Sequence, residues 1–472
     1  MEAVRRFGLS KSRITYGLQC GKRLWLQVHR SSLAEYPPET RRLFAAGHDV
    51  NDVARTLRPG GVLVEWQDDL DRALKETAVA LGGEGDVTVF EAAFRHRGVF
   101  VRTDILERRE GRYRMTEVKS ATRLKEYHLT DVAVQTWVLE GNGLPLDVLN
   151  MAVIDPEFVY PGGGDYRGFF SEIPIADQVR PILARVPGWV TNFVEILNGG
   201  EPAIATGQQC RKPFECPFLP YCEGRDGRAP AVARDSAGEQ APEAPDPALG
   251  RVDPAASAYL ASLPFPRFYL DFETVQFTVP VWPETRPYEQ LPFQWSCHLE
   301  PAFGKIEHAE HLDTGGGAPM RAAADALLAT LGERGPVFVY TDFEKWRLVE
   351  LAARFPDLAP AIENVTGRLV DLFRLARQHY THPALNGSYS LKTVLPTIAP
   401  ELAHADLDEV QDGLSAQAAY HEAIAADTPA ARRDELRHAL LEYCALDTLA
   451  LVRLAHHLER RPAAPAREEA LR

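Results

Sequence analysis

The sequence has no apolar run long enough to cross a bilayer, and its first ten residues, MEAVRRFGLS, show no signal-peptide pattern. A membrane-spanning helix needs about 20 consecutive apolar residues. A secretory signal joins a basic start to an apolar stretch. We therefore expect a protein of the cytoplasm that has no membrane partner.

Positive charge is also in short supply, with 52 Lys and Arg against 66 Asp and Glu and a formal net charge of −14. This balance argues against a protein that coats nucleic acid by bulk attraction. It does not exclude an enzyme that acts on nucleic acid, because a metal-dependent nuclease needs clustered acids at its site and only local basic residues for the phosphates.

Cysteine is scarce, with 6 residues in 472, and in a cytosolic chain this usage indicates metal binding or catalysis before disulfides. The stretch CRKPFECPFLPYC clusters Cys210, Cys216 and Cys222, and Cys20 lies far upstream. Four thiolates can bind tetrahedral zinc or an iron-sulfur cluster. Zinc sites usually contain closer cysteine pairs, which this spacing does not match, and the residues alone leave zinc and iron-sulfur open.

The length predicts two domains, because a chain of 472 residues is too long for one core. Residues 224–256 are rich in Ala, Pro, Gly and acid and are predicted to be a flexible linker. The domains then cover 1–223 and 257–460, and 461–472 form a tail. Strand patterns alternate with helical ones on both sides of the linker, which predicts the α/β class.

The first domain contains two predicted helical segments. Ser10 or Ser12 can cap a single helix that carries Ile14, Leu18, Leu24 and Trp25. A second, long helical stretch is predicted from about residue 171 to residue 197.

A first set of acids lies on two predicted neighbouring strands. Asp104 is on one strand, and Glu117 and Lys119 follow on the next, across a short hairpin. Glu117 and Lys119 share a strand face, so two carboxylates can chelate a metal while the lysine polarises a water or a phosphate. A helix that carries Gln135 follows.

A second set begins in the apolar strand FYLDFET, where Asp271 and Glu273 point to the same face. Hard oxygen ligands of this kind suit Mg²⁺ or Mn²⁺, although an edge strand with two solvated acids is the alternative. The later helix EYCALDTLALVRL adds Asp447, and Tyr443 lies one turn earlier on the same face.

The segments TDILERREGRYRMTEVKS and DVAVQTWV resemble the RecB-like branch of the PD-(D/E)xK nucleases, over roughly residues 8–223. This resemblance implies a restriction-endonuclease-like core. It also implies Mg²⁺ or Mn²⁺ at Asp104, Glu117 and the Val118 carbonyl, with Lys119 as the catalytic lysine and Gln135 as the residue of the motif helix.

Two further features belong to the same resemblance. The family often has a metal-binding His four residues after a helix glycine; that position is Asn51 here, and His48 directly after Gly47 is the candidate ligand. The division of the cysteines resembles the iron-sulfur branch, which includes the CRISPR-associated exonucleases. It implies a 4Fe-4S cluster that ties the N-terminal helix to the end of the domain through the following residues: Cys20, Cys210, Cys216 and Cys222.

The acids after the linker resemble those of the DnaQ-like 3′ to 5′ exonucleases of the DEDDy type, over about residues 265–458. The resemblance implies an RNase H-like core with Mg²⁺ or Mn²⁺ held by four acids, and Tyr443 orienting the attacking water. The four acids are Asp271, Glu273, Asp447 and a middle acid, for which Glu344 is favoured and Asp342 is the alternate.

A narrower resemblance, carried by LDFETVQFTVPVW, PYEQLPFQWSCH and NGSYSLKTVLP, is to an uncharacterised bacterial domain that occurs joined to RecB-like nucleases. Tyr288, Gln294 and Trp295 are expected either to shape a substrate groove or to pack within the strands. Lys392 and Asp371 are expected near the site or in a surface pair.

The predicted function is a metal-dependent nuclease with two separate sites that acts on DNA ends or single strands. One alternative is a nucleic-acid-binding or assembly module in which one or both sites are inactive. The other is an RNA-processing 3′ to 5′ exonuclease, because no feature of the sequence indicates whether the site distinguishes RNA from DNA by the ribose 2′-hydroxyl.

Overall fold

The chain forms a mixed α/β structure of several sheets. It divides into two compact units, the first of Met1–Ala237 with Thr278–Tyr288 and the second of Gly238–Phe277 with Glu289–Arg472. No helix in the described part of the chain combines the length and the apolar character that a membrane span needs. The computed structural model describes residues 8–36, 49–65, 69–225, 250–402 and 410–460.

The first unit is built on a seven-stranded sheet in the order β2-β3-β4-β5-β6-β7, with β1 paired to β4. Strands β3, β4 and β5 are antiparallel, and β6 runs parallel to β5. The strands are β1 Leu9–Ser10, β2 Val62–Leu63, β3 Val87–His96, β4 Val99–Arg109, β5 Arg112–Lys119, β6 Leu146–Ile154 and β7 Phe170–Pro174.

Helices cover this sheet, and two of the helical predictions are wrong in detail. The single helix predicted after Ser10 is two helices, because Cys20 adopts an extended backbone that ends the first and precedes the second. The stretch 171–197 begins as strand β7, which pairs with β6, before it becomes helical. The helices are α1 Lys11–Gln19, α2 Gly21–His29, α3 Leu70–Leu81, α4 Glu126–Gly141, α5 Ala176–Leu183, α6 Val186–Asn198 and α7 Leu219–Arg225, and residues 49–56 are also helical.

The second unit has a five-stranded sheet in the order β11-β10-β9-β12-β13. Strands β9, β10 and β11 form an antiparallel meander, β12 joins β9 in parallel and β13 continues in parallel beyond β12. A separate pair links β8 to β14. The strands are β8 Arg251–Val252, β9 Arg267–Val275, β10 Leu291–Ala302, β11 Lys305–Leu312, β12 Val337–Val339, β13 Leu369–Asp371 and β14 Tyr380–Thr381.

The central strand β9 is covered by the longest helix of the second unit, which packs on both β9 and β10. A buried apolar layer that includes Tyr269, Phe338 and Leu451 holds this helix to the sheet. It is helix α15 in chain order. The helices of this unit are α8 Pro254–Ser262, α9 Met320–Leu331, α10 Phe343–Arg354, α11 Ala359–Thr366, α12 Leu372–His379, α13 Leu391–Val394, α14 Gly413–Ile424 and α15 Ala430–Leu458.

Candidate functional sites

Three carboxylates of the second unit converge at strand β9. Asp271 and Glu273 share one face of this strand, and Asp447 approaches from helix α15. One carboxylate oxygen from each lies within 4.8 Å of the others, a spacing that allows all three to bind one metal ion. The strand and the helix pack directly on one another, so the acids are held together by the core of the unit.

Glu344 is the fourth acid of this cluster. It lies in the first turn of α10, is 2% exposed and lines the same cavity, and its side chain shares a hydrogen bond with Asp271. Its Oε2 atom has no hydrogen-bond partner among the described residues. Asp342, the alternate middle acid, is exposed at the helix N-cap. The geometry therefore favours Glu344 over Asp342 as the fourth acid.

The chain turns sharply just before Glu344. Thr341 follows β12 with a φ of 82°, a left-handed conformation that a β-branched residue adopts only under strain. Strain of this kind costs on the order of 1–3 kcal/mol and persists where the surrounding structure fixes it. The turn starts α10 so that its first acid faces the cavity.

The carboxylates of this cluster repel one another, and their pKa values are raised. Burial and the neighbouring Asp447 raise the pKa of Asp271 to about 8. Burial, together with Asp271, raises the pKa of Glu273 and the pKa of Glu344 well above the ordinary value. Mg²⁺ and Mn²⁺ prefer carboxylate oxygens as ligands. The four acids offer such oxygens, and Oε2 of Glu344 has no hydrogen-bond partner among the described residues.

Tyr443 and Cys444 complete the surroundings of the acids. Burial and Asp447 raise the pKa of Tyr443, so its hydroxyl stays protonated and can donate. The Sγ atom of Cys444 lies 4.0 Å from Oδ2 of Asp271. Cys444 and Cys297 are fully buried, as expected for core residues, but the contact with Asp271 was not foreseen.

These side chains line a cavity of about 490 Å³, the size range of small-molecule sites. Apolar residues share its wall with the acids. The lining is Asp271, Phe272, Glu273, Thr274, Gln290, Tyr340, Phe343, Glu344, Leu391, Asp412, Gly413, Leu414, Gln417, Tyr443, Asp447 and Leu451.

The remaining sequence candidates of this region lie elsewhere. Gln294 and Trp295 are fully buried and donate to the backbone carbonyls of Leu440 and Ala323, which is strand packing. Tyr288 belongs to the first unit. The other two candidates have local roles: Asp371 caps α12 through the amide of Arg374, and Lys392 donates to the carbonyl of Gln411 while its charge acts on Glu273.

The predicted residues of the first unit also come together. The Oδ2 atom of Asp104 accepts the Val118 amide at 2.7 Å, where the β4 and β5 ladder ends. Glu117 accepts from Lys119 Nζ at 2.8 Å and from Gln135 Nε2 at 2.7 Å. His48 lies outside the described residues, and the described contacts of Val118 are those of its backbone in the sheet.

Two charged residues that the sequence analysis missed belong to this first cluster. Lys11 Nζ lies 2.8 Å from Glu117 Oε1, and Asp131 Oδ2 lies 3.2 Å from Lys119 Nζ. Asp131 precedes Gln135 by four residues on α4, so helical spacing could have placed both on one face. Lys11 is 106 residues from Glu117 in the chain and offered no local signal.

The first cluster is balanced by these lysines. Burial, together with Glu117, raises the pKa of Asp104 to about 7. Burial alone would also raise the pKa of Glu117, but Lys11 and Lys119 outweigh it and hold that pKa well below the ordinary value. Glu117 therefore stays ionised.

The four predicted cysteines line one small cavity at the start of α2, together with Lys22, Arg23, Leu26 and Phe218. Cys210, Cys216 and Cys222 are buried, and Cys20 occupies the break between α1 and α2. All four are free thiols, and burial raises the pKa of Cys222 to about 11. Cys20 is half-buried, so three of the four thiols at this cavity are buried.

Comparisons with known proteins give one family match. A profile described as a domain of unknown function (DUF2779) matches residues 268–390, an interval that contains Asp271, Glu273 and Glu344 and ends before Asp447. The comparison with curated proteins gives no match.

The raised pKa of Asp271 predicts that the free energy of unfolding of metal-free protein falls as pH rises. Folded protein holds this proton more tightly than unfolded chain, so stability is lost as pH rises from about 4 through about 8. We expect Asp271→Asn in EDTA to raise the free energy of unfolding at pH 9 by about 1–3 kcal/mol and to change it little at pH 4.

Urea unfolding followed by circular dichroism at both pH values provides the measurement. The exposed Asp342→Asn is the matched control and should leave both values unchanged. Equal stability of Asp271→Asn and wild type at pH 9 would contradict the assignment of a carboxylate repelled by its neighbours.

Proposed function

We propose that this protein is a metal-dependent phosphodiesterase that hydrolyses nucleic-acid strands, with DNA ends or single strands as the substrate and two separate active sites. The observation that carries the proposal is the convergence of Asp271, Glu273 and Asp447 in a cavity that also contains the unpartnered Glu344 oxygen. Acids that repel one another at such a cost are typical of sites that hold divalent cations.

In the second unit, Asp271, Glu273, Asp447 and Glu344 would hold Mg²⁺ or Mn²⁺. Bound there, the ions would activate a water and stabilise the charge that develops on the phosphate. The protonated Tyr443 hydroxyl would donate a hydrogen bond to orient that water. Phe343 and Leu414 give the cavity an apolar wall for a sugar or base.

In the first unit, Asp104 and Glu117 would hold the cation. Gln135 fixes the orientation of Glu117 through its Oε2 atom, and Lys119 supplies a positive charge for the scissile phosphate. This arrangement supports the RecB-like assignment, as the second cluster supports the DnaQ-like one. Both assignments are part of the proposal.

We propose in addition that Cys20, Cys210, Cys216 and Cys222 bind a 4Fe-4S cluster, with zinc as the alternative. The support is that the four thiols line one cavity although they come from both ends of the first unit. A cluster there would cross-link about 200 residues of chain and stabilise the folded unit by restricting the unfolded one.

A second candidate function is a nucleic-acid-binding or assembly module in which the first site is inactive. Two observations favour it: Asn51 stands where the family pattern has a histidine, and Lys11 and Lys119 occupy the Oε1 atom of Glu117. The experiments below separate the two functions.

Hydrolysis is predicted to require Mn²⁺ or Mg²⁺, and each of the two sites is predicted to require the acids of its own cluster. Incubation with end-labelled single strands in Mn²⁺ should give products that EDTA abolishes. Asp271→Ala should remove the stepwise 3′ to 5′ products by at least about a hundredfold while Asp104→Ala leaves them, because each change removes a ligand from one site only.

The exposed Asp342→Ala serves as the control and should keep full activity. Matched DNA and RNA strands, resolved on the same gel, report the preference between the two sugars. Products that form equally in EDTA, or that survive the double variant, would overturn the proposal. Loss of every product in Asp271→Ala alone, with none left that depends on Asp104, would support the inactive first site.

Tyr443→Phe is expected to separate turnover from metal binding. Loss of the hydroxyl removes a water-orienting donor but no ligand, so kcat should fall by about 10-fold to 100-fold while Mn²⁺ affinity stays constant. Steady-state kinetics and Mn²⁺ titration followed by electron paramagnetic resonance measure the two quantities. A parallel fall in Mn²⁺ affinity would make Tyr443 a structural support of the ligands instead.

The cysteine proposal predicts a brown protein after anaerobic purification, with visible absorption and bound iron and sulfide. Cys216→Ser should be colourless, because a cluster ligand is lost. Cys297→Ser, a buried cysteine of the second unit, is the control and should stay brown. A colourless wild type with stoichiometric zinc would refute the iron-sulfur cluster.

A further inference from the structure

Two lysine ammonium groups contact the same carboxylate oxygen of Glu117 in the first site. Lys11 Nζ and Lys119 Nζ each lie 2.8 Å from the same oxygen, Oε1. The other oxygen, Oε2, accepts from Gln135 at 2.7 Å. Because Glu117 is 0% exposed, its interactions with these three donors take the place of solvent.

The two lysines differ in how firmly they are held. Lys119 has a second carboxylate, with its Nζ 3.2 Å from Asp131 Oδ2, and Asp131 is itself fixed by the Thr15 hydroxyl at 3.0 Å. Among the described residues, the Lys11 ammonium makes its hydrogen bond to Glu117 alone. The side chains of Lys11 and Lys119 are 24% and 21% exposed, so the second carboxylate, and not solvent access, is what separates them.

The backbone of Lys11 is fixed although its side chain is not doubly anchored. Lys11 is the first residue of α1, and the Ser10 side chain before it caps that helix by accepting from the Arg13 amide. Strand β1 pairs with β4 at Leu9 and Val99. The ammonium can therefore move by rotation of its own four-carbon chain while the helix stays in place.

We propose that Lys11 occupies the cation position on Glu117 in the metal-free protein, and that it leaves Glu117 on metal binding to contact a phosphate of the substrate. This inference rests on the proposed function of the first site. One carboxylate oxygen cannot serve a divalent cation and two ammonium groups, because the three positive charges repel one another. Lys119 retains Asp131, so Lys11 is the group that leaves.

The released ammonium needs a new anionic partner. A phosphate oxygen is a suitable one, since charge-assisted hydrogen bonds to phosphate are among the stronger contacts that a lysine makes. Substrate binding would then stabilise the same Lys11 position as metal binding. By linkage, each should raise the affinity of the other.

The test uses the full chain with the second site silenced by Asp271→Asn and Asp447→Asn. In that background Lys11→Met should bind Mn²⁺ at least about tenfold more tightly, because a competing charge is gone. It should bind a single-stranded DNA oligonucleotide about tenfold more weakly in Ca²⁺, measured by anisotropy before any product forms. Mn²⁺ affinity is read by electron paramagnetic resonance, independently of hydrolysis.

Three variants act as controls. Lys75→Met removes an exposed lysine from α3 and should change neither affinity. Lys11→Arg keeps the charge and should restore oligonucleotide binding. Lys11→Gln, which can still donate to Glu117, replaces Lys11→Met if circular dichroism shows that the methionine variant is misfolded.

Tighter Mn²⁺ binding together with weaker oligonucleotide binding supports the inference. Unchanged or weaker Mn²⁺ binding, or unchanged oligonucleotide binding, overturns it. The failure of the proposed function looks different: tighter Mn²⁺ and weaker oligonucleotide binding in Lys11→Met, with no hydrolysis by the chain that retains both sites, would count against catalysis and leave the role of Lys11 in place.

Discussion

The mutual repulsion of clustered carboxylates is the constraint around which the second unit is built. Asp271, Glu273 and Asp447 bring oxygens within 4.8 Å of one another, an arrangement that a chain adopts only if its core holds the acids there. Helix α15 supplies Asp447, so its contact with the sheet must resist that repulsion. Hydrogen bonds behind the site provide part of the resistance: the Thr448 hydroxyl lies 2.8 Å from both Ser296 Oγ and His298 Nδ1 on β10.

The negative charge of the clustered acids is compensated differently in the two units. In the first, Lys11 and Lys119 neutralise Glu117, and Gln135 satisfies its remaining oxygen. In the second, the acids face one another, with Lys392 as the nearest compensating influence on Glu273, and one oxygen of Glu344 has no partner within the described chain. The repulsion in the second cluster is therefore less compensated than that in the first, where lysine side chains balance the acids.

The parts of both sites that follow from local periodicity could be predicted from the sequence. The strand period of two placed Asp271 beside Glu273, and helical spacing placed Tyr443 beside Asp447. The break at Cys20 could not be predicted, because apolar residues continue at helical spacing on both sides of it. Contacts across long stretches of chain carry no periodic signal, which is why Lys11 was missed.

The segment Thr278–Tyr288 belongs to the first unit although it lies beyond the predicted linker in the chain. It follows β9, yet it completes the first unit: Tyr160 donates its amide to the Thr285 carbonyl at 3.0 Å and accepts from the Glu284 amide at 2.7 Å.

The same segment reaches the end of the strand that carries Glu117 and Lys119. The hydroxyl of Tyr288 donates to the Ser120 carbonyl at 3.0 Å, directly after Lys119, and its ring packs against the apolar cluster that contains Val118. The composition of residues 224–256 indicates a boundary, which falls after Ala237, but β8 and the start of α8 lie inside this interval and the first unit extends beyond it. A fragment that ends at residue 256 would lack Tyr288 and its contacts at the end of β5, so the surroundings of the first cluster depend on the longer chain.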